Sequence, residues 1–210
     1  MVVVLTADQQ DSRTRPDGVP TLLSSLAGAT TLPPLRPFQR TVGDEVQAVV
    51  DHPDTVVELV GALLRAGGWY LGIGLGETDQ PLPEDARAGR GTAYLAAREA
   101  VTRAKSTPHR VRVVGGDPYR AEHLETVVWL WAGILERRTE RGWQVYDAFA
   151  EGLSHDQTGH RLGITQSAVS QRAQAAGLVD EQRARALLRD LLAEHLAGTD
   201  PGRRGTEPDR

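Results

Sequence analysis

Hydrophobic residues follow two different periods along this chain, and the change falls near residues 115–118. Before that point, short β-branched or apolar runs alternate with amphipathic stretches, a pattern that predicts strands alternating with helices. The first run, at residues 2–6, is uninterrupted, as in a buried strand. After that point, apolar residues recur every three or four positions, which predicts helices throughout. We therefore expect an α+β first half and an all-α second half.

The first half is predicted to run strand, short helix, strand, strand, helix, strand, helix and strand. We place the strands at residues 2–6, 38–41, 46–50, 69–75 and 110–114, and the helices at 21–26, 53–66 and 92–105. Gly43 and Asp44 lie between the second and third strands and suit a tight hairpin turn. This order fits an antiparallel sheet with helices packed on one face.

The second half is predicted to contain five helices, at residues 122–138, 143–150, 156–162, 166–175 and 180–196. The first is apolar around nearly its whole circumference, so we expect it to be buried between two domains, against a second subunit, or both. We expect one domain at residues 1–116 and a second at 119–197. The polar segment at 198–210 contains Gly and Pro and is predicted to be a disordered tail.

Composition narrows the class of protein. The chain has 210 residues, of which 40% are hydrophobic and 25% charged, as in one or two small globular domains. No run approaches the roughly 20 apolar residues that a membrane span needs, and the first five residues lack the basic lead-in of a signal peptide. There are no cysteines, which excludes disulfides, a thiolate nucleophile and a Cys-based zinc site. We expect a cytoplasmic protein with no membrane partner.

Residues 154–173, SHDQTGHRLGITQSAVSQRA, combine several local signals. Ser154 suits a helix N-cap, and Gly159 is small where two helices must cross closely. Gly163 falls four residues later, where a turn needs a residue that tolerates positive φ, and Val169 falls six beyond that, directed to the core. This spacing resembles the helix-turn-helix of bacterial regulators and of sigma-factor-type DNA-binding domains.

The resemblance implies that the second of the two helices enters the major groove of double-stranded DNA. The residues expected to contact DNA are Thr165, Gln166, Ser167, Ser170, Gln171, Arg172 and Arg161. Arg137, Arg138 and Arg141 are expected to add contacts to the DNA backbone. Because the net charge is −4, DNA contact must come from a local patch. A single module gives limited affinity, so we expect a homodimer.

Two alternatives to DNA binding stay open for this segment. The first is a plain helical bundle whose turn has the same spacing without the function. The second keeps the fold but gives it a protein partner in place of DNA.

Four segments of the first half resemble, in the same order, the core motifs of class III nucleotide cyclases. They are Leu5-Thr6-Ala7-Asp8, Val42-Gly43-Asp44, Leu71-Gly72-Ile73-Gly74-Leu75-Gly76 and Gly91-Thr92-Ala93-Tyr94-Leu95-Ala96-Ala97-Arg98. A closer likeness is to the SatD-like family of small bacterial proteins. It rests on Asp8-Gln9-Gln10-Asp11-Ser12-Arg13, on Gly43-Asp44-Glu45-Val46-Gln47 and on the same segment at 91–98. The resemblance implies a ferredoxin-like or nucleotide-cyclase-like sheet domain that senses a ligand or dimerises.

The cyclase resemblance also implies a site. Asp8 and Asp44 would be the ligands of Mg²⁺, which prefers carboxylate oxygens, and Arg98 and Gly43 would contact the phosphates of a nucleotide. The glycines of the fourth strand would let a ligand approach closely. A competing interpretation gives the aspartates only turn and capping roles.

Catalysis is not implied, because the asparagine of active cyclases falls at Tyr94, and an aromatic side chain cannot replace an amide. We therefore expect a DNA-binding transcriptional regulator rather than an enzyme. The alternative is a Mg²⁺-dependent nucleotide-binding protein or a cyclase-type enzyme.

Overall fold

The computed structural model describes residues 1–198, so the tail predicted at 198–210 lies, after its first residue, outside the described part. The strands, numbered in chain order, are β1 (Val2–Gln9), β2 (Arg36–Arg40), β3 (Glu45–Val50), β4 (Trp69–Gly76) and β5 (Val111–Gly115). The helices are α1 (Val19–Leu26), α2 (Pro53–Ala66), α3 (Thr92–Ala104), α4 (Pro118–Glu136), α5 (Glu140–Ala150), α6 (His155–Leu162), α7 (Gln166–Ala175) and α8 (Leu178–Leu196). A single 3₁₀ turn, Ala86–Ala88, interrupts the loop before α3.

The predicted order of strands and helices is confirmed. Strand β1 extends three residues beyond its predicted end, and two helices begin earlier than predicted because of their caps. Helix α4 begins four residues before its predicted start, because the Asp117 carboxylate accepts a hydrogen bond from the Arg120 amide and Pro118 occupies the first turn. Helix α5 begins at Glu140, since the Thr139 hydroxyl accepts from the Gly142 amide. Capping side chains therefore extend both helices beyond their apolar stripes.

The five strands form one mixed sheet in the order β2-β3-β1-β4-β5. Three of the four neighbouring pairs are antiparallel, but β5 runs parallel to β4, with Leu71 opposite Val111 and Leu75 opposite Gly115. The prediction of a purely antiparallel sheet is therefore wrong at this edge. A parallel pair needs a crossover, and α3 provides it.

Helix α3 crosses the opposite face of the sheet from α2, so the prediction of helices on one face is also wrong. Its Ala93, Tyr94 and Ala97 form a small apolar cluster with Val4 and Val49. The glycines of β4 make this contact possible, because a Cβ added to Gly74 would lie 2.3 Å from the Ala93 carbonyl oxygen and from the Ala97 amide. What approaches the glycine strand is therefore helix α3.

The other face of the sheet carries the main core, which joins both halves of the chain. Helices α2, α4 and α8 cover this face, and Leu124, Trp131 and Leu188 share one cluster with Leu5 and Ile73 of the sheet. The predicted boundary at residues 116–119 coincides with the short connection between β5 and α4, but α4 and α8 complete the core of the first half. Helices α5, α6 and α7 form a separate layer between α4 and α8 in the chain.

The long apolar helix of the prediction is α4, but it is not buried on most sides, since Leu130 is 66% exposed and Glu122, His123 and Thr126 on the same side are exposed as well. Trp131 at its centre has no exposed surface, and a Cβ on Gly61 of α2 would lie 2.9 Å from the Trp131 ring. Within residues 1–198, no helix is both long and apolar enough to cross a membrane.

Replacement of Gly74 by alanine tests the packing of α3 on β4. The added methyl group would meet backbone atoms that cannot turn aside, so we expect Gly74→Ala to lower the free energy of unfolding by about 3 kcal/mol. Urea denaturation followed by circular dichroism measures this loss. The matched control is Gly28→Ala, because no atom lies within 4 Å of a Cβ built at that exposed turn. Equal stability of both variants would contradict the close contact.

Candidate nucleic-acid interface

Helices α6 and α7 meet through a three-residue turn at 163–165 whose conformation follows from local side chains. Ser154 and Gln157 form a reciprocal capping box at the start of α6. Gly163 ends the helix in the left-handed conformation, with φ +64°. The Thr165 hydroxyl then accepts a hydrogen bond from the Ala168 amide and caps α7. Each predicted local signal at this turn is therefore present in the backbone.

The angle between α6 and α7 is set by two small or apolar contacts. A Cβ added to Gly159 would lie 2.8 Å from the Ile164 carbonyl oxygen, so only glycine lets the turn fold back on α6. Val169 is completely buried and holds α7 against the layer formed with α5. As a result the opposite side of α7 faces outward.

Most of the residues predicted to contact DNA lie on that outward side. Thr165, Gln166, Ser167, Ser170 and Gln171 are exposed. Two of them are partly engaged within the helix, because Thr165 is the cap and the Ser170 hydroxyl donates to the Gln166 carbonyl. The unengaged polar groups are therefore those of Gln166, Ser167 and Gln171.

The arginines predicted to contact DNA differ in their exposure and in their ion pairs. Arg172 is half-buried on α7. Arg161 is exposed, and its guanidinium lies 2.6 Å from the Glu151 carboxylate, so this charge is already paired. Between residues 137 and 175 the sequence holds five arginines and four acidic residues, which leaves this surface close to neutral.

The prediction that Arg138 contacts the DNA backbone is wrong, because its side chain has no exposed surface. The guanidinium donates to the Glu181 carboxylate at 2.6 Å and to the Ala176 carbonyl oxygen at 3.0 Å. Its carbon also lies 4.5 Å from the Trp143 ring centre and 5.0 Å from that of Tyr146. The residue thus connects the start of α5 with the start of α8.

A second ion pair connects α5 to α2, which packs on the sheet. The Arg65 guanidinium of α2 makes two hydrogen bonds to the Asp147 carboxylate, at 2.6 and 2.9 Å. This contact raises the pKa of Arg65 above its ordinary value. Sequence patterns did not identify this pair, since its partners are 82 positions apart and neither belongs to a motif.

The site implied by the cyclase resemblance is only partly assembled. Asp8 lies 3.1 Å from the Lys105 ammonium, which follows α3. Asp44 lies in the turn before β3, where its carbonyl oxygen accepts from the Gln9 amide at 3.4 Å. Gly43 occupies the same turn with φ +61°. Within residues 1–198, no group of three or more histidine, aspartate or glutamate side chains is arranged to hold a metal ion, so Mg²⁺ at Asp8 and Asp44 stays a prediction.

Arg98 lies at a cavity of about 430 Å³ between α3 and the hairpin of β2 and β3, which we call the arginine pocket. Three arginines line it, at positions 87, 90 and 98, together with Thr6, Gln47 and Tyr94. The Gln47 amide donates to the Thr6 hydroxyl at 2.9 Å and forms a polar floor. The Tyr94 hydroxyl is buried without a hydrogen-bond partner, and burial raises the pKa of Tyr94. Tyr94 therefore belongs to the pocket wall, where the cyclase pattern has asparagine.

Comparison with known proteins found no match: no family model, no curated protein and no solved structure matches this chain.

Replacement of Glu181 by glutamine tests the buried contact with Arg138. The change would leave a buried guanidinium without its counter-charge, so we expect Glu181→Gln to lower the free energy of unfolding by about 3 kcal/mol in urea denaturation. The double variant Arg138→Met/Glu181→Leu should recover most of the loss, because no buried charge remains.

The matched control for that measurement is Glu151→Gln, which removes the carboxylate partner of Arg161. Both side chains of this pair are about half exposed, and we expect a loss below about 1 kcal/mol. If both single substitutions cost the same, the buried pair does not hold the two layers together.

Proposed function

We propose that this protein is a DNA-binding transcriptional regulator in which α7 is the recognition helix. The observation that carries the proposal is the geometry of α6 and α7, with a left-handed glycine at the turn, a buried valine behind it and an outward polar face. Two helices joined by such a turn are the docking unit of many DNA-binding proteins. The exposed amides of Gln166 and Gln171 are suited to paired hydrogen bonds with adenine in the major groove.

The near-neutral charge around α6 and α7 bears on how many copies of the protein must bind DNA together. Because the acidic residues nearly balance the arginines around α6 and α7, phosphate attraction supplies little affinity to one copy. We therefore propose a homodimer, in which two recognition helices address two half-sites one helical turn apart. A two-fold symmetric binding motif is the expected signature.

The sheet half is proposed to be the sensing or dimerising part. The strands β4, β1, β3 and β2 are neighbours in that order, which is the arrangement of the ferredoxin-like βαββαβ unit. The order supports the proposed relation to nucleotide cyclases and SatD-like proteins. The sheet shares one core with α4 and α8. This shared core supports a regulatory role for the sheet half over a role as a mere attachment.

A second candidate function is nucleotide or phosphate binding, and the arginine pocket favours it. Arg90 and Arg98 make no ion pair within residues 1–198, while Arg87 is paired with Asp85 at 2.8 Å. Together with the Glu45 carboxylate, which lines the same pocket, these two guanidinium groups leave one net positive charge there, and it attracts phosphate oxygens.

Selection of DNA fragments from a random-sequence library, at near-physiological salt, tests the regulator proposal. We expect an enriched two-fold motif, and we expect Gln171→Ala to weaken binding to it by roughly 5- to 150-fold, the usual contribution of one base-reading side chain. Fluorescence anisotropy with the selected duplex measures the affinity.

Gln144→Ala is the matched control, because Gln144 is an exposed amide on α5 instead of α7. It should bind the selected duplex as tightly as the parent protein. A folded protein that enriches no motif would contradict the regulator proposal, and equal losses in both variants would contradict the assignment of α7.

Titration with ATP and Mg²⁺ tests the second candidate function. We expect a rise in melting temperature that Arg98→Gln reduces, because the substitution removes one of the two unpaired guanidinium groups. Arg103→Gln is the control, since Arg103 lies on the same helix and is paired with Glu99 at 2.8 Å. No shift in the parent protein would exclude the nucleotide as ligand of the arginine pocket.

A further inference from the structure

A second cavity, of about 190 Å³, lies where α2, α4, α5 and α8 meet, on the face of the sheet opposite α3. We call it the joint cavity. Its lining includes Glu58, Ala62, Leu135, Trp143, Glu181 and Arg185. Since liquid water occupies about 30 Å³ per molecule, the space corresponds to roughly six waters, or one small organic molecule.

Most charges around the joint cavity are already matched. Arg65 is held by Asp147, and Glu181 is held by Arg138, each within 2.6 Å. These two pairs leave no net charge facing the cavity. They also fix two of its walls, because one pair connects α2 to α5 and the other connects the segment before α5 to α8.

One carboxylate on the lining forms no ion pair within residues 1–198, and one guanidinium has an opposite charge nearby but makes no hydrogen bond to it. Glu58 accepts hydrogen bonds only from the amide and the hydroxyl of Thr31, both at 3.0 Å, and it forms no ion pair within residues 1–198. The Arg185 guanidinium forms an ion pair with the Glu181 carboxylate at 3.7 Å, which is too far for a hydrogen bond, and its central carbon lies 5.3 Å from the Trp131 ring centre. The cavity therefore offers one anionic and one cationic group, with apolar surface from Ala62 and Leu135.

We propose that the joint cavity binds a free α-amino acid with an apolar side chain. Its carboxylate would receive the hydrogen bonds of Arg185, and its ammonium group would donate to Glu58. The side chain would contact Ala62, Leu135 and the ring of Trp143. A zwitterion matches the charge pair of the cavity, whereas a simple anion or cation would leave one of the two groups facing a like charge.

Binding there would act on the proposed regulator function, and this part of the proposal rests on that function. The ligand would bridge α2 and α8 beside α5, the first helix of the layer that carries α7. A ligand that favours one placement of α5 shifts the affinity of α7 for DNA, and by linkage DNA shifts the affinity for the ligand equally.

Isothermal titration calorimetry with L-leucine tests the binding step without DNA. We expect saturable binding with a Kd on the order of 1 mM, which is what about nine non-hydrogen atoms deliver. Leucinamide, which lacks the carboxylate, and 4-methylpentanoate, which lacks the ammonium group, should each bind at least about tenfold more weakly.

Two substitutions assign the two charges of leucine to their partners. Arg185→Gln and Glu58→Gln should each weaken leucine binding by at least about tenfold, whereas Glu58→Gln should strengthen the weak binding of 4-methylpentanoate, because it removes the like charge that this anion faces. Arg189→Gln is the control, because Arg189 lies one turn further along α8 and faces Asp190. If leucine does not bind the folded parent protein, or binds both variants as tightly as the parent, the proposal is overturned.

The regulatory step is measured separately, by anisotropy with the selected duplex in the presence and absence of leucine. We expect an affinity change of at least about fivefold in either direction. If the protein binds leucine but no DNA, the regulator proposal is overturned and the proposed amino-acid site in the joint cavity stands. DNA binding that leucine does not alter would overturn the coupling.

Discussion

The buried contact between Arg138 and Glu181 is the constraint on which the placement of the helical layer depends. The chain leaves the main core after α4, forms α5, α6 and α7, and returns at α8. Arg138 lies at the exit, while the Ala176 carbonyl and Glu181 lie at the return. The Arg138 guanidinium therefore connects the two ends of the segment that forms α5, α6 and α7. With side chains 0% and 5% exposed, the pair is far from solvent, and its removal from one side only would leave an unmatched buried charge.

The same constraint explains the shape of the surface around it. We call the contact of Arg138 with Glu181 and the Ala176 carbonyl the clamp. Gly142 permits the close approach that the clamp requires, since a Cβ there would lie 2.9 Å from the Ala176 side chain. Trp143 receives guanidinium groups of Arg138 and Arg65, each 4.5 Å from its ring centre. These groups lie beside the joint cavity, which Trp143 and Glu181 help to line.

Local signals in the sequence predicted local structure well. The turn between α6 and α7 could be predicted because Ser154, Gly159, Gly163 and Val169 act within twenty residues of one another. Strand direction could not be predicted in the same way, since an apolar run such as β5 has the same pattern in parallel and antiparallel pairs. The clamp could not be predicted either. Its partners are 43 positions apart, and an arginine near a DNA-binding motif resembles a phosphate contact until its burial is known.

The glycines of β4 illustrate a different limit of sequence reasoning. Alternating glycines on a strand indicate that something approaches the backbone closely, but they do not identify what approaches. Here it is α3, and since even a Cβ added to Gly74 would lie 2.3 Å from the Ala93 carbonyl oxygen, no space is left for a ligand at that point. The arginine pocket forms instead beyond the glycines, where Tyr94 and Arg98 extend from α3 over Thr6 and Gln47.

The position of the two cavities decides which of them can control α7. The arginine pocket lies on the α3 face, and its walls belong to α3, the β2–β3 hairpin and the loop before α3. None of these walls belongs to α5, α6, α7 or α8. The joint cavity, in contrast, is lined by α5 and α8 themselves, next to both ion pairs that orient the helical layer. A ligand in the joint cavity, as proposed, would therefore act directly on the contacts that hold α5 and α8 beside α7. A ligand in the arginine pocket would touch none of these contacts, so its effect on α7 would have to pass through the sheet.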